Sequence, residues 1–164
     1  MAGKHTLAET EKQVADRLSH MTLDIQAMAV TSNLFRAASA MRSRFERTVL
    51  AEVGLSWTAF VVLWVTWIWD SAETREIAAE SNISKATLTG VLSTLEKMGL
   101  VQRSRSQTDG RLVEVKVLQK GRDLMENLFP RFNQQETLVS TPLSDDEKLE
   151  IAQMLRRITE GIEG

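Results

Sequence analysis

The chain has 164 residues, 43% of them hydrophobic, and a formal net charge of −2 at pH 7; this is about one domain's length with enough apolar content for a core, neither disordered nor fibrous. It has no cysteine, which excludes a disulfide scaffold, a thiolate zinc site and a thiol switch. Its two histidines, His5 and His20, show no metal-ligand spacing, so no metal and no cofactor is expected.

Behind Lys4 there is no apolar signal-peptide core, and the longest apolar run, Trp57 to Trp69, falls short of the roughly 20 residues that span a bilayer. The expectation is a soluble, cytoplasmic protein without membrane contact.

Taken in order, Thr6 to Glu9 fits a capping box, and Leu7, Val14 and Leu18 then share a face, which predicts a short N-terminal helix. Its apolar stripe needs a surface to cover. A long helix should follow from about Thr22 toward Val49, with Met28, Ser32, Phe35, Ala38, Arg42, Phe45 and Val49 near one seam and no Pro or Gly to interrupt it. Two partners suit such a seam: a helix of another chain, or the chain's own C-terminal helices.

Gly54-Leu55-Ser56 punctuates the sequence before Trp57 to Trp69. That segment is apolar on all sides and rich in β-branched residues, so a buried strand competes with a helix; thirteen residues and Ser56 as N-cap favour the helix. All four tryptophans lie in it, with Trp57, Phe60, Val61, Trp64 and Ile68 on one face. The rings fit core and dimer packing. They also fit an effector pocket in which Phe35, Arg36, Trp57, Phe60 and Trp64 hold an aromatic acid, Arg36 pairing with its carboxylate.

The densest information lies between Thr74 and Arg111. Thr74 can cap a helix holding Ile77 and Ala78, Ser81-Asn82 supplies a turn, and Ser84 can cap a second helix. Leu88, Val91, Leu92 and Leu95 form its inward stripe. The opposite face presents Ala86, Gly90 and Ser93, flanked by Lys85, Thr87, Thr89 and Thr94: small, hydrogen-bonding groups suited to close approach in a DNA major groove. A mid-helix glycine costs roughly 1 kcal/mol relative to alanine, and such an approach would compensate for it. Gly99 ends the helix, Val101 to Ser106 reads as extended, Thr108-Asp109-Gly110 as a turn, and Leu112 to Leu118 alternates. A hairpin directly after a helix-turn-helix is a wing, and Arg103, Arg105 and Arg111 fall on or beside its tip, within reach of phosphates or a minor groove. From Ser81 to Arg122 there are eight Lys or Arg against three acids, a net of +5, leaving −7 for the rest. The positive charge is where the motif is.

After the wing, Lys120-Gly121-Arg122 leads into a helix with Leu124, Leu128, Phe132 and Leu138 recurring, and Pro130 predicts a bend or break in it. Ser140-Thr141-Pro142 ends it. Ser144 to Glu147 is a capping box opening a last helix, with Leu149, Ala152, Leu155 and Ile158 as its apolar face and Arg156-Arg157 in its last turn.

The run from Glu76 to Gly121, with LEKMGLVQR, TDGR and QKG, resembles the winged helix-turn-helix of the MarR family of bacterial transcription regulators. The resemblance implies a mainly α fold with a small β-hairpin wing, in which N-terminal helices (1–55) and C-terminal helices (120–164) form a dimerisation region around a DNA-binding domain (56–119). It implies a homodimer on pseudo-palindromic double-stranded DNA, a repressor, and release by a small-molecule effector. Ser84, Lys85, Thr87 and Thr89 fall in recognition-helix positions, and Asp109 and Arg111 at the wing tip, the aspartate holding the arginine. Leu118 departs from the family pattern, where Thr often stands, and removes an expected helix cap. The alternative is a winged-helix protein-interaction module that binds no DNA. No nucleophile-base pair, metal spacing or phosphate-cradling loop suggests an enzyme.

Overall fold

The computed structural model describes residues 5–105 and 112–163. The chain divides into two compact units, residues 1–43 and 44–164.

The first unit holds α1 (Leu7–Arg17) and most of α2 (Ile25–Arg47). The Thr6 hydroxyl accepts the Glu9 N–H while the Glu9 carboxylate accepts the Thr6 N–H, the reciprocal cap that the sequence predicts. A hydrogen bond of 2.7 Å from Asn33 Nδ2 to Glu11 Oε1 ties the two helices together. Helix α2 begins three residues later than expected because Asp24, not Thr22, caps it: its carboxylate accepts the Ala27 N–H at 2.9 Å. The expected seam is not uniform along the helix, since Phe45 and Val49 are buried but Phe35 is 75% exposed.

The second unit is built around α3 (Trp57–Trp69), a helix and not a strand. Ser56 caps it by accepting the Ala59 N–H, and the Glu46 carboxylate accepts the N–H of Trp57. Phe60, Val62, Leu63 and Val65 are buried on it. Next come β1 (Ser71–Glu73), α4 (Thr74–Glu80), α5 (Lys85–Lys97), β2 (Val101–Arg105) and β3 (Val113–Val117). The sheet is antiparallel with order β1-β3-β2, so the expected two-stranded hairpin has a third strand. Three residues, Ser71 to Glu73, are too short a run to show an alternation. They pair in register with Glu114 to Lys116. The cap of α4 is Glu73, one residue before the expected Thr74, with Glu76 reaching back to the Glu73 N–H at 3.0 Å.

Helix α6 (Gln119–Ser140) continues through Pro130 without a break. Its Met125, Leu128 and Phe132 are buried in the same core as α3 and α5. Leu118 precedes it without a side-chain cap, as the departure from the family pattern implies. Helix α7 (Asp145–Glu163) opens on the Ser144–Glu147 capping box and runs further than expected, so Arg156 and Arg157 are interior to it rather than in its last turn. No helix among the described residues is long and apolar enough to cross a membrane.

The junction between α5 and α6 leaves no room for a side chain at Gly121. A Cβ on Gly121 would stand 2.3 Å from the Leu100 carbonyl oxygen and 2.9 Å from a Val117 methyl. Gly121→Ala should therefore lower stability by about 1–3 kcal/mol, the usual range for overpacking, read as a lower urea midpoint. A midpoint within error of the parent would show that this junction can relax.

Candidate nucleic-acid interface

Helices α4 and α5 are joined by a turn in which Asn82 takes φ 49°, a left-handed conformation that asparagine tolerates. Three backbone bonds fix it: Ser81 N–H to Ile77, Asn82 N–H to Ala79 and Ile83 N–H to Ala78. Ser84 caps α5 by accepting the Thr87 N–H at 3.1 Å, and the two hydroxyls lie 2.9 Å apart. Leu88, Leu92 and Leu95 are buried, with Val91 half-buried beside them. Ser84, Lys85, Ala86, Thr87, Thr89 and Gly90 are all exposed, and a Cβ on Gly90 would meet nothing within 4 Å. The expected outward face is thus uncovered within the chain, which is the arrangement a groove-inserting helix requires.

The arginines divide. Arg105, at the end of β2, is exposed. Arg103 was expected on or beside the wing tip, but it lies in mid-strand opposite Val115 and turns back onto α5. Its Nε bonds Glu96 Oε2 at 2.9 Å, its backbone N–H bonds Glu96 Oε1 at 2.9 Å, and its Nη2 reaches Ser93 Oγ at 3.2 Å. Ser93, expected among the outward contacts, is half-buried and takes part in this brace between the recognition helix and the wing. Asp109 and Arg111, and the turn at Thr108 to Gly110, lie outside the described residues.

Sequence reasoning missed Glu96. Its signal was an acid inside an otherwise basic stretch, but its partner lies across the Gly99 turn, where no helical spacing applies. The hydrogen bonds from the Arg103 side chain, then from its backbone, hold the Glu96 carboxyl below the ordinary glutamate range.

The aromatic residues resolve in favour of packing for two of the five pocket candidates. Phe60 stacks on Phe132 with ring centroids 4.3 Å apart, and Trp57 lies 6.0 Å from Phe45 and 6.2 Å from Phe132. Phe60 is buried and Trp57 half-buried. Trp64 is exposed on α3, and Phe35 and Arg36 are exposed on α2 in the other unit. Among the described residues no cluster of His, Cys, Asp or Glu could hold a metal ion.

The MarR family profile matches residues 55–113. The HTH-type transcriptional regulator YwaE of Bacillus subtilis, itself uncharacterized, is 34% identical over 99% of this chain and 98% of its own length. The chain belongs to the MarR family. Among solved MarR-like structures, Bordetella bronchiseptica BpsR, whose DNA binding is regulated by 6-hydroxynicotinic acid, is 26% identical with a TM-score of 0.73, covering 80% of this chain and 98% of BpsR. A MarR family regulator from Streptomyces coelicolor, solved in complex with DNA, has a TM-score of 0.79 at 18% identity and covers 88% of this chain and 92% of its own, a likeness of fold. The relatives of this MarR protein are transcriptional regulators, and no catalytic family is indicated.

The brace predicts a pH dependence. Because the carboxyl of Glu96 is held below its ordinary value of 4.5 in the fold, its contribution is present above that value and is lost as pH falls through the lowered one. Glu96→Gln should therefore flatten part of the acid limb of a urea-midpoint profile below about pH 5. Superimposable parent and variant profiles would mean that the pair adds nothing to stability.

Proposed function

We propose that this MarR protein is a homodimeric, sequence-specific DNA-binding regulator, with α5 of each protomer inserted into a major groove and the wing gripping the flanking backbone. The observation that carries this reading is the uncovered face of α5, where Ala86 and Gly90 present no bulk. Ser84, Lys85, Ala86, Thr87, Thr89 and Gly90 make up the groove surface, and Arg105 and Arg111 the phosphate grip. Ser93 and Arg103 act from behind, by holding the wing against the helix. Two-fold symmetry then asks for half-sites about one helical turn, roughly 10 bp, apart.

Dimerisation is supported by α7, where Leu149 and Ile162 are 65% and 78% exposed and Ile151, Met154 and Leu155 are exposed beside them. A chain with that much apolar surface on one helix is expected to bury it. Promoter occlusion by the bound dimer is the simplest regulatory consequence, which makes the protein a repressor located in the cytoplasm. A small aromatic acid is the proposed effector class; BpsR and its 6-hydroxynicotinic acid support it. Such an effector must bind the non-DNA geometry more tightly than the DNA-bound one. Trp57, Phe60 and Trp64 on α3 and, separately, Phe35 and Arg36 on α2 are the candidate effector contacts, Trp64, Phe35 and Arg36 being exposed.

Lys85→Ala and Arg105→Ala should each weaken binding to every duplex and reduce the slope of log affinity against log salt by about one. Unchanged slopes in a salt titration would remove these two cations from the interface. Light scattering should return twice the chain mass; a monomer at micromolar concentration would defeat the two-groove geometry.

A further inference from the structure

The hydroxyls of α5 are already committed. Thr89 Oγ1 donates to the Lys85 carbonyl at 2.9 Å, Ser93 Oγ to the Thr89 carbonyl at 3.0 Å, and Thr94 Oγ1 to the Gly90 carbonyl at 3.2 Å. Ser84 and Thr87 share a single hydroxyl hydrogen bond, and the Ser84 oxygen also accepts the Thr87 N–H. Thr89 and Thr94 turn their hydrogens back onto the helix and offer outward γ-methyl groups and oxygen lone pairs, while one hydroxyl hydrogen of the Ser84–Thr87 pair stays free.

The rest of the helix adds one conventional base reader, Lys85 at its start. Lys85 to Lys97 contains no Arg, Asn or Gln, so neither the bidentate guanidinium contact to guanine nor the bidentate amide contact to adenine is available from it. The carboxylate of Glu96, which could otherwise accept from a cytosine amino group, is bound by Arg103. Lys85 is the one cation at the start of the helix, and Lys97 lies at its far end. Beyond Lys85, whose ammonium can donate to guanine at the start of the helix, what remains to distinguish one base pair from another is apolar contact from Ala86, Thr87 and Thr89, and hydroxyl oxygens facing exocyclic amino groups.

Resting on the reading of α5 as the groove helix, we propose that this helix recognises its half-site through thymine C5-methyl groups, packed against the methyls of Thr87 and Thr89 and of Ala86, with the threonine oxygens accepting from the amino group of adenine. The part of the half-site facing Ala86, Thr87 and Thr89 is then built of T·A pairs. It is read by shape and methyl contact, and the close approach that Gly90 permits is what brings those methyls together.

The test begins with selection from a random duplex library by the full-length protein, followed by replacement of each selected thymine with deoxyuracil, which removes the methyl alone. One or more positions should lose about three- to fivefold in affinity, the equivalent of one buried methyl-sized group. Thr87→Ser and Thr89→Ser delete the protein methyl and keep the hydroxyl, so the uracil penalty should vanish at the facing position. Thr→Val keeps the methyl and the penalty. Selected sites bound tightly with no uracil penalty anywhere, or a penalty retained in full by Thr87→Ser, Thr89→Ser and Ala86→Gly alike, would overturn the methyl readout while leaving DNA binding by α5 intact. A library that yields no enriched sequence would overturn both.

Discussion

The fold depends on the seam where α6 begins against the end of α5. Three contacts form it: the Cα of Gly121 against the Leu100 carbonyl, the Leu118 N–H bonded to that same carbonyl at 2.9 Å, and the Lys120 ammonium bonded to the Met98 carbonyl at 2.8 Å. The Met98 carbonyl is at the C-terminal end of α5, where the helix leaves acceptors unpaired and its dipole is negative, and the Leu100 carbonyl lies just beyond the Gly99 turn. The lysine thus does for α5 what a charged cap does, but from the next helix. Displacing α6 from this position would break these bonds or carry the end of α5 along with it.

The recognition surface accepts a local cost for its shape. Gly90 in mid-helix and four Ser or Thr residues between Thr87 and Thr94 are poor helix formers, and threonine hydroxyls bonded to the preceding turn add little. What offsets this is the buried stripe of Leu88, Leu92 and Leu95, together with the Ser84 cap and the Glu96–Arg103 brace. One side of α5 is fixed by packing so that the other need not be stable on its own account.

Most of this was legible from spacing. The Ser84 cap, the leucine stripe, the exposed small-residue line and the order helix, turn, helix, strand, strand all follow from local chemistry, and the structure carries each of them. Pairings across a change of chain direction were not legible. Arg103 looked like a wing-tip cation because a strand residue's partner depends on register, and the Arg103–Glu96 bond requires β2 to fold back along α5. For the same reason Ser93 read as a groove contact. The tryptophan segment was ambiguous because a helix buried on all sides has no periodicity to divide core from pocket; only the positions of Phe45 and Phe132 decide that Trp57 and Phe60 are packed.

Helix α6 has two characters along its length. Gly121, Met125, Leu128 and Phe132 are buried against the winged domain, whereas Leu138 near its end is exposed, as is the apolar side of α7 that follows. The buried half shares its core with α3 and α5, and at its start meets the Met98 carbonyl at the end of α5. The other half and α7 offer the apolar surface that the proposed dimer would cover. If a second copy covers that surface, the same rigid helix joins the subunit contact to the groove helix, and no separate relay between them is needed. A ligand altering the angle between protomers would then change the separation of the two α5 helices, because α6 cannot slide along α5 while Gly121 remains against the Leu100 carbonyl.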